Sequence, residues 1–297
     1  MSTLFIGLGK MGTPMARQYA AVHETVLFDV GPAAAELALE LGISSIDSLA
    51  TIPDGVDTVI LMVPNSRIVE SILLDGDSLL DKLPSGALVI DMSSSVPAST
   101  QMLAARAAGK GIDYVDAPVS GGTAKATTGQ LAIMVGGEQA AIERAAVHLD
   151  PMAGSVLVVG PSGSGHAAKA LNNLLSATNI TAAAEILTIS TRFGIDPAVM
   201  VEVINASTGR SQASEVKFPN HILTGSYDSG FGMDLMLKDL GIARDLADAA
   251  HLPTPLTATT LTIARAARET VGGDLPDHTE LAKYYEIENG VSFRPAH

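Results

Sequence analysis

The chain has 297 residues, 47% of them hydrophobic and 17% charged, which supplies one large core or two ordinary ones and excludes disorder as the main state. Eighteen Lys and Arg against 32 Asp and Glu leave a net charge of −14, which argues against a general nucleic-acid binder and against a partner of anionic membranes. There is no cysteine, so disulfides, thiolate metal sites and cysteine nucleophiles are excluded.

In chain order, residues 4–6 form a short β-type run that ends in Gly7, and 11–21 reads as a helix. A strand at 25–28 and a helix at 33–41 follow. Strands are then predicted at 58–63, closed by Pro64, and at 87–92, followed by Ser93-Ser94-Ser95. Residues 101–109 read as a helix, and 114–117, 131–135 and 155–159 as strands. Strands alternating with helices predict an α/β fold, a Rossmann domain with a mostly parallel sheet and helices on both faces. The pattern changes at Gly160-Pro161-Ser162-Gly163-Ser164-Gly165, which is loop chemistry. Residues 166–193 then contain no Pro or Gly, a stretch of about 42 Å if helical. Gly194 stops it and Pro197 starts the next segment, with further helices at 239–251 and 255–271. The expected domains are 1–161, dinucleotide-binding, and 162–297, all-helical. The N-terminus lacks the basic and apolar regions of a signal peptide, and no apolar run of about 18 residues occurs, so a soluble cytoplasmic protein is expected.

Gly7-Leu8-Gly9-Lys10-Met11-Gly12 matches G-x-G-x-x-G between the first predicted strand and helix. The first glycine permits a tight turn, the second lets backbone approach a pyrophosphate, and the third lets helix pack on strand. The helix N-terminus supplies N–H groups and positive dipole to the phosphates. Asp29 ends the second strand, where a carboxylate accepts the adenosine ribose hydroxyls and repels the 2′-phosphate of NADP. No Lys or Arg occurs from Gln18 to Ser66, so a phosphate clamp has no local donor and NAD is the expected cofactor. Val63, Pro64 and Ser94 follow the third and fourth strands, on loops expected to face the cofactor beyond the carboxyl ends of the sheet.

GLGKMGTPMA, DMSSSVP, DAPVSGG, GSGHAAKALNN and LMLKDL occur in this order, and the chain resembles the β-hydroxyacid dehydrogenase family, which includes 3-hydroxyisobutyrate dehydrogenase. The resemblance runs from Leu4 to about Glu286. It implies an NAD-dependent oxidoreductase that interconverts a small hydroxy acid and its semialdehyde or oxo acid, assembled as a homodimer or homotetramer. It makes Lys169 the general acid/base; a lysine partly desolvated at a helix start has its pKa lowered toward the working pH. Asn173, four residues on, shares its helix face and is implied to hold substrate and orient the lysine, although Asn172 lies near the same face. Ser120, Gly121 and Gly122 are implied to take the substrate carboxylate, the glycines allowing close backbone approach. Lys125 departs from the small residue of many relatives; it contacts an extra hydroxyl or acid group of a threonate-like substrate or is a solvated loop lysine. Phe231 matches an aromatic position of the substrate pocket. Lys238 matches a lysine over the cofactor; the alternative is a Lys238–Asp239 pair that ties helices together. The seven histidines form no H-x-x-x-H pair, so no metal is implied. His166, three residues before Lys169, either approaches the nicotinamide end or starts the helix. No tyrosine has Lys four residues on, which excludes short-chain dehydrogenase chemistry, and Lys169 argues against the imine reductase branch. A non-catalytic NAD-binding sensor built on the same fold is the alternative of a different class.

Overall fold

The computed structural model describes residues 2–76 and 78–294. They form two compact units, Met1–Lys169 and Ala170–His297.

The first unit is built on a single sheet of nine strands: β1 (Ser2–Ile6), β2 (Thr25–Phe28), β3 (Ser44–Ser45), β4 (Val56–Leu61), β5 (Leu88–Asp91), β6 (Asp113–Asp116), β7 (Val119–Ser120), β8 (Leu131–Gly136) and β9 (Ala153–Gly160). Their order is β3-β2-β1-β4-β5-β6-β8-β7, with β9 on β8. The first six are parallel to one another; β8 runs antiparallel to β6 and β7, and β9 runs parallel to β8. The six-strand order is that of a dinucleotide-binding fold.

The central strands β1, β2, β4 and β5 are buried on both faces and largely apolar because helices cover both sides of the sheet there, whereas β9 is exposed along most of its length. Alternate side chains point to opposite faces. Phe5, Leu27, Ile60 and Ile90 enter one core with Met15, Leu37 and Ile142 of the helices Gly12–Ala20, Ala33–Leu41 and Gln139–Leu149. Leu4, Ile6, Val26, Val59 and Leu61 enter the other with Val69, Leu73 and Leu103 of the helices Ser66–Leu74 and Pro97–Ala108. The latter begins earlier than the predicted 101, because Pro97 sits in its first turn, where a missing N–H is harmless.

The long helix spans Ser164–Phe193, so part of the predicted loop is already its first turn. Gly163 has φ of +90°, which turns the chain into the helix. Asp116, fully buried at the end of β6, accepts hydrogen bonds from the N–H groups of Gly163 (2.8 Å, Oδ1) and His166 (3.0 Å, Oδ2). These are orphan donors of a helix N-terminus, and a remote carboxylate caps them. His166 is itself buried, with Nε2 3.1 Å from the Ser93 carbonyl and Nδ1 2.7 Å from the Thr100 hydroxyl. The division between the two compact units falls inside this helix.

The second unit is helical apart from an isolated bridge between Gly232 and Asp277. Gly194 (φ +100°) ends the long helix, and Asp196 caps Pro197–Asn205 by accepting from the N–H of Ala198 and Val199. A π-helical stretch, Ala213–Ile222, carries Pro219 inside it. Helices Met233–Ala249, Pro255–Val271 and Glu280–Asn289 complete the unit around Ile180, Leu187, Phe218, Met236 and Leu240. The first of these begins earlier than the predicted 239. Among the described residues no helix is long and apolar enough to cross a membrane.

Gly165 tests the helix anchor. In an exposed helix interior, Gly to Ala stabilises by about 1 kcal/mol. Here a Cβ would lie 2.4 Å from the Met134 carbonyl oxygen and 2.8 Å from Asp116 Oδ2. Gly165→Ala is therefore expected to destabilise the protein by about 2 kcal/mol, read as a lower urea midpoint; an unchanged or higher midpoint contradicts the anchor.

Candidate active site

The glycine loop joins β1 to the helix Gly12–Ala20. Gly7 has φ of +94°, and a Cβ there would lie 2.3 Å from the Met62 carbonyl oxygen. A Cβ on Gly12 would lie 1.9 Å from the Gly7 carbonyl oxygen, so helix and strand can meet only at a glycine. A Cβ on Gly9 would meet nothing within 4 Å. Its backbone therefore borders open space, a cradle that a side chain would fill. Gly9, Lys10, Thr13 and Arg17 line a cavity of about 530 Å³ together with Thr123 and Thr127.

Asp29, just past β2, binds this loop directly. Its Oδ2 accepts from the Leu8 N–H at 2.7 Å and its Oδ1 from the Gly31 N–H at 2.8 Å. A partly exposed carboxylate so fixed keeps lone pairs for a ribose diol. Loop N–H groups, open backbone at Gly9 and the carboxylate at Asp29 together fit a dinucleotide.

Val63, Pro64 and Ser94 follow β4, which pairs with β1, and β5, which pairs with β4; all three strands are parallel, so these residues lie at the same carboxyl edge. Two residues outside the predicted set brace these loops. The Ser93 hydroxyl accepts from the Val63 N–H at 3.0 Å. Asp91 accepts from the Ser93 N–H, the Ser95 hydroxyl and the Tyr114 hydroxyl at 3.0, 3.0 and 3.1 Å. Burial, with the Asp91 charge beside it, pushes the Tyr114 phenol well above its usual pKa, so it remains a donor.

Ser120 ends β7, and Gly121 and Gly122 follow with φ of +139° and +67°, conformations that glycine tolerates. Lys125 is exposed, and its stem lies against Gly121, where a Cβ would come within 2.7 Å of it. Lys169 is half-buried and stands one turn beyond His166. Because a carbonyl only accepts, His166 Nε2 carries a proton toward Ser93, which assigns His166 to anchoring the helix start. Asp116 and His166 position Lys169; their pairing spans 47 to 50 residues of chain and leaves no local signal in the sequence.

Asn173, Phe231 and Lys238 lie in the second unit. The two asparagines are distinguishable: Asn172 is exposed, whereas Asn173 is buried and donates from Nδ2 to Asp239 Oδ2 at 2.6 Å. Asp239 Oδ1 lies 3.6 Å from Lys238 Nζ, and Asp239 is almost fully buried. The Lys238–Asp239 pair considered from the sequence thus exists, and it extends to Asn173. Phe231 packs edge-on against His278, with ring centroids 5.1 Å apart. Among the described residues no group of three or more metal-ligating side chains occurs.

The same conclusion about kinship comes from known proteins. Residues 3–160 match the family model "NAD binding domain of 6-phosphogluconate dehydrogenase", and residues 163–285 match "NAD-binding of NADP-dependent 3-hydroxyisobutyrate dehydrogenase". The chain is 38% identical over 289 residues to 2-(hydroxymethyl)glutarate dehydrogenase of Eubacterium barkeri, covering 97% of this chain and 96% of that one. It is 37% identical over 268 residues to the NAD-dependent L-serine dehydrogenase of Pseudomonas aeruginosa, covering 88% and 90%. The solved structure of Mycobacterium tuberculosis 3-hydroxyisobutyrate dehydrogenase with L-serine superposes with a TM-score of 0.87 at 31% identity, covering 95% of this chain and 98% of that one. With its glycine fingerprint, strand order and lysine-bearing helix, the chain belongs to the 3-hydroxyisobutyrate dehydrogenase family of β-hydroxyacid dehydrogenases, NAD-dependent oxidoreductases that act on a CH–OH group.

Proposed function

We propose that the chain reversibly oxidises a small 3-hydroxyisobutyrate-like hydroxy acid to its semialdehyde or oxo acid, with Lys169 as general acid/base. The observation that carries this reading is a half-buried lysine one turn past a helix start held by Asp116 and His166. The relatives named above support the substrate type. 3-Hydroxyisobutyrate, L-serine and 2-(hydroxymethyl)glutarate are all acids with a primary alcohol β to a carboxylate, differing in the substituent at C2.

NAD, when bound, supplies the hydride-accepting nicotinamide. In the oxidation Lys169 Nζ, as the amine, takes the proton of the substrate hydroxyl while the carbinol carbon gives up hydride and the C=O bond forms. In the reduction the ammonium returns that proton to the nascent alkoxide. Ser120 and the N–H groups of Gly121 and Gly122 hold the substrate carboxylate, and Lys125 faces any further polar group on the acid. Asn173, four residues after Lys169 on the same helix, hydrogen-bonds substrate and is itself oriented by Asp239. Phe231 supplies an apolar wall, and Lys238, held by Asp239, serves the cofactor. Residues 1–161 hold NAD through Gly7 to Gly12, Asp29, Val63, Pro64 and Ser94. Residues 162–297 carry the substrate side and assemble the chain as a homodimer or homotetramer. Catalysis then rests on positioning and on proton transfer at one amine.

Lys169→Ala is expected to lower kcat by about 10² to 10⁴-fold while the dissociation constant for NADH, read by fluorescence titration, stays within about threefold. Retained turnover sinks the assignment of the base.

The Asp29 carboxylate and the absence of Lys and Arg from Gln18 to Ser66 favour NAD over NADP. Wild-type kcat/KM is expected to favour NAD by about 100-fold or more, and Asp29→Ser to reduce that ratio at least about tenfold. Equal use of the two cofactors by the wild-type protein overturns the role given to Asp29.

A further inference from the structure

The loops at the ends of β4 and β5 meet the start of the lysine-bearing helix at one buried imidazole, and a hydroxyl with no part in the chemistry above holds it. The Ser93 hydroxyl takes the Val63 N–H, and Asp91 takes the Ser93 N–H. His166 Nε2 lies 3.1 Å from the Ser93 carbonyl oxygen, and the His166 backbone N–H donates to Asp116. The His166 ring thus ties the segment that carries Ser94 to the turn that precedes Lys169. Thr100, on the helix Pro97–Ala108, touches the other ring nitrogen, with Oγ1 2.7 Å from Nδ1. Both side chains are sealed from solvent.

Counting protons gives these contacts a direction. A carbonyl only accepts, so Nε2 carries the proton that faces Ser93, and in a neutral ring Nδ1 is then a lone pair. The Thr100 hydroxyl has one proton and two acceptors in reach, Nδ1 at 2.7 Å and the Val96 carbonyl at 3.3 Å. The shorter contact takes it. Thr100 therefore donates to Nδ1 and fixes both the ring plane and the Nε2–H tautomer. In the other tautomer an Nε2 lone pair would face the Ser93 carbonyl oxygen, and the tie would become a repulsion. Without the Thr100 donor, the Nδ1 lone pair would be buried and unpaired. Two buried carboxylates flank the ring: Asp91 Oδ2 is 3.8 Å from Nε2 and Asp116 Oδ2 is 3.9 Å from Nδ1.

We propose that Thr100 is a positioning residue: its bond to His166 Nδ1 locks the ring that joins the cofactor-side loop at Ser93 to the turn before Lys169. Dinucleotide affinity and proton transfer then depend on the same buried hydroxyl. The proposal rests on Lys169 as the general acid/base and on the loops after β4 and β5 as cofactor loops. Thr100 touches neither substrate nor cofactor; it acts through the placement of groups that do, where a shift of about 1 Å costs up to about 100-fold in rate.

Thr100→Val keeps the shape and removes the donor, and Thr100→Ser keeps the donor. Per folded molecule at pH 8, kcat for the acid turned over fastest is expected to fall at least about tenfold in the Val variant, with KM for that acid within about threefold. The dissociation constant for NADH, from fluorescence titration, is expected to rise at least about threefold. The Ser variant is expected to recover both to within about threefold of wild type. Nitrogen-15 spectra of the histidine rings, with His166 assigned by its loss in His166→Gln, are expected to show a proton on Nε2 and a lone pair on Nδ1 in the wild-type protein. That proton is expected to exchange with solvent at least about tenfold faster in the Val variant. A proton on Nδ1 of the wild-type ring makes Thr100 an acceptor and overturns the proposal; this reading needs no variant, so it decides even where thermal melting shows the Val protein unfolded. Wild-type kcat and NADH affinity in a folded Val variant overturn it as well. Should Lys169→Ala keep its turnover, or the wild-type protein oxidise no acid, the chemistry assigned to Lys169 falls, while the ring spectra and NADH affinity still judge Thr100.

Discussion

A carboxylate that solvent does not reach holds the lysine-bearing helix to the sheet. Asp116 uses both oxygens on N–H groups at the start of that helix. Burying an ion costs several kcal/mol, and the partial positive charge of a helix N-terminus with its unsatisfied donors offsets much of that cost. The arrangement also explains a glycine pattern around it. A Cβ on Gly136 would lie 2.7 Å from Asp116 Oδ1, and one on Gly165 would lie 2.8 Å from Oδ2. The carboxylate occupies the volume that side chains at these positions would need. Lys169 follows His166 by one helical turn, so the sheet, and not a loop, sets where its Cα lies.

The same device recurs along the carboxyl edge of the sheet. Asp29 follows β2 and takes two backbone N–H groups, one of them from the glycine loop. Asp91 ends β5 and takes the Ser93 N–H and two hydroxyls. Asp116 ends β6. Parallel strands deliver their loops to one edge, and loops that turn sharply expose N–H groups without strand partners. A strand-end aspartate satisfies those donors and fixes the loop in one move. Two of the three are almost sealed from solvent and act as braces, whereas Asp29 keeps a face open and can serve both the loop and a ribose.

The first unit was largely legible in the sequence because its signals are local. Apolar runs of four to six residues marked strands, and the glycine spacing fixed the loop after β1. The helix Ser66–Leu74 went unread, although Asn65 gave a cue: its side chain caps the helix by accepting from the Ile68 N–H. The antiparallel pairing of β7 and β8 had no local signature, since register there is set by neighbours in the sheet. Among candidate residues, Lys169 and the glycines stood out by motif, but Asn172 and Asn173 differ only by which faces Asp239. His166 and Asp116 needed the folded chain, because a contact across 50 residues imposes no periodicity. The stretch Ala213–Ile222 went unread for a related reason: Pro219 reads as a helix breaker, whereas the chain passes through it in a wider turn.

Net charge ties these observations together. A protein with a charge of −14 that takes up an anionic dinucleotide and an anionic acid works against its own long-range field. At physiological ionic strength that field is screened beyond about 8 Å. What decides binding is therefore the set of donors inside that distance, away from bulk water, where each is worth more than on the surface. In the proposed site, backbone N–H groups at Gly7 to Gly12 would serve the dinucleotide without adding any formal charge. A lysine left in solvent would contribute little against the surrounding carboxylates.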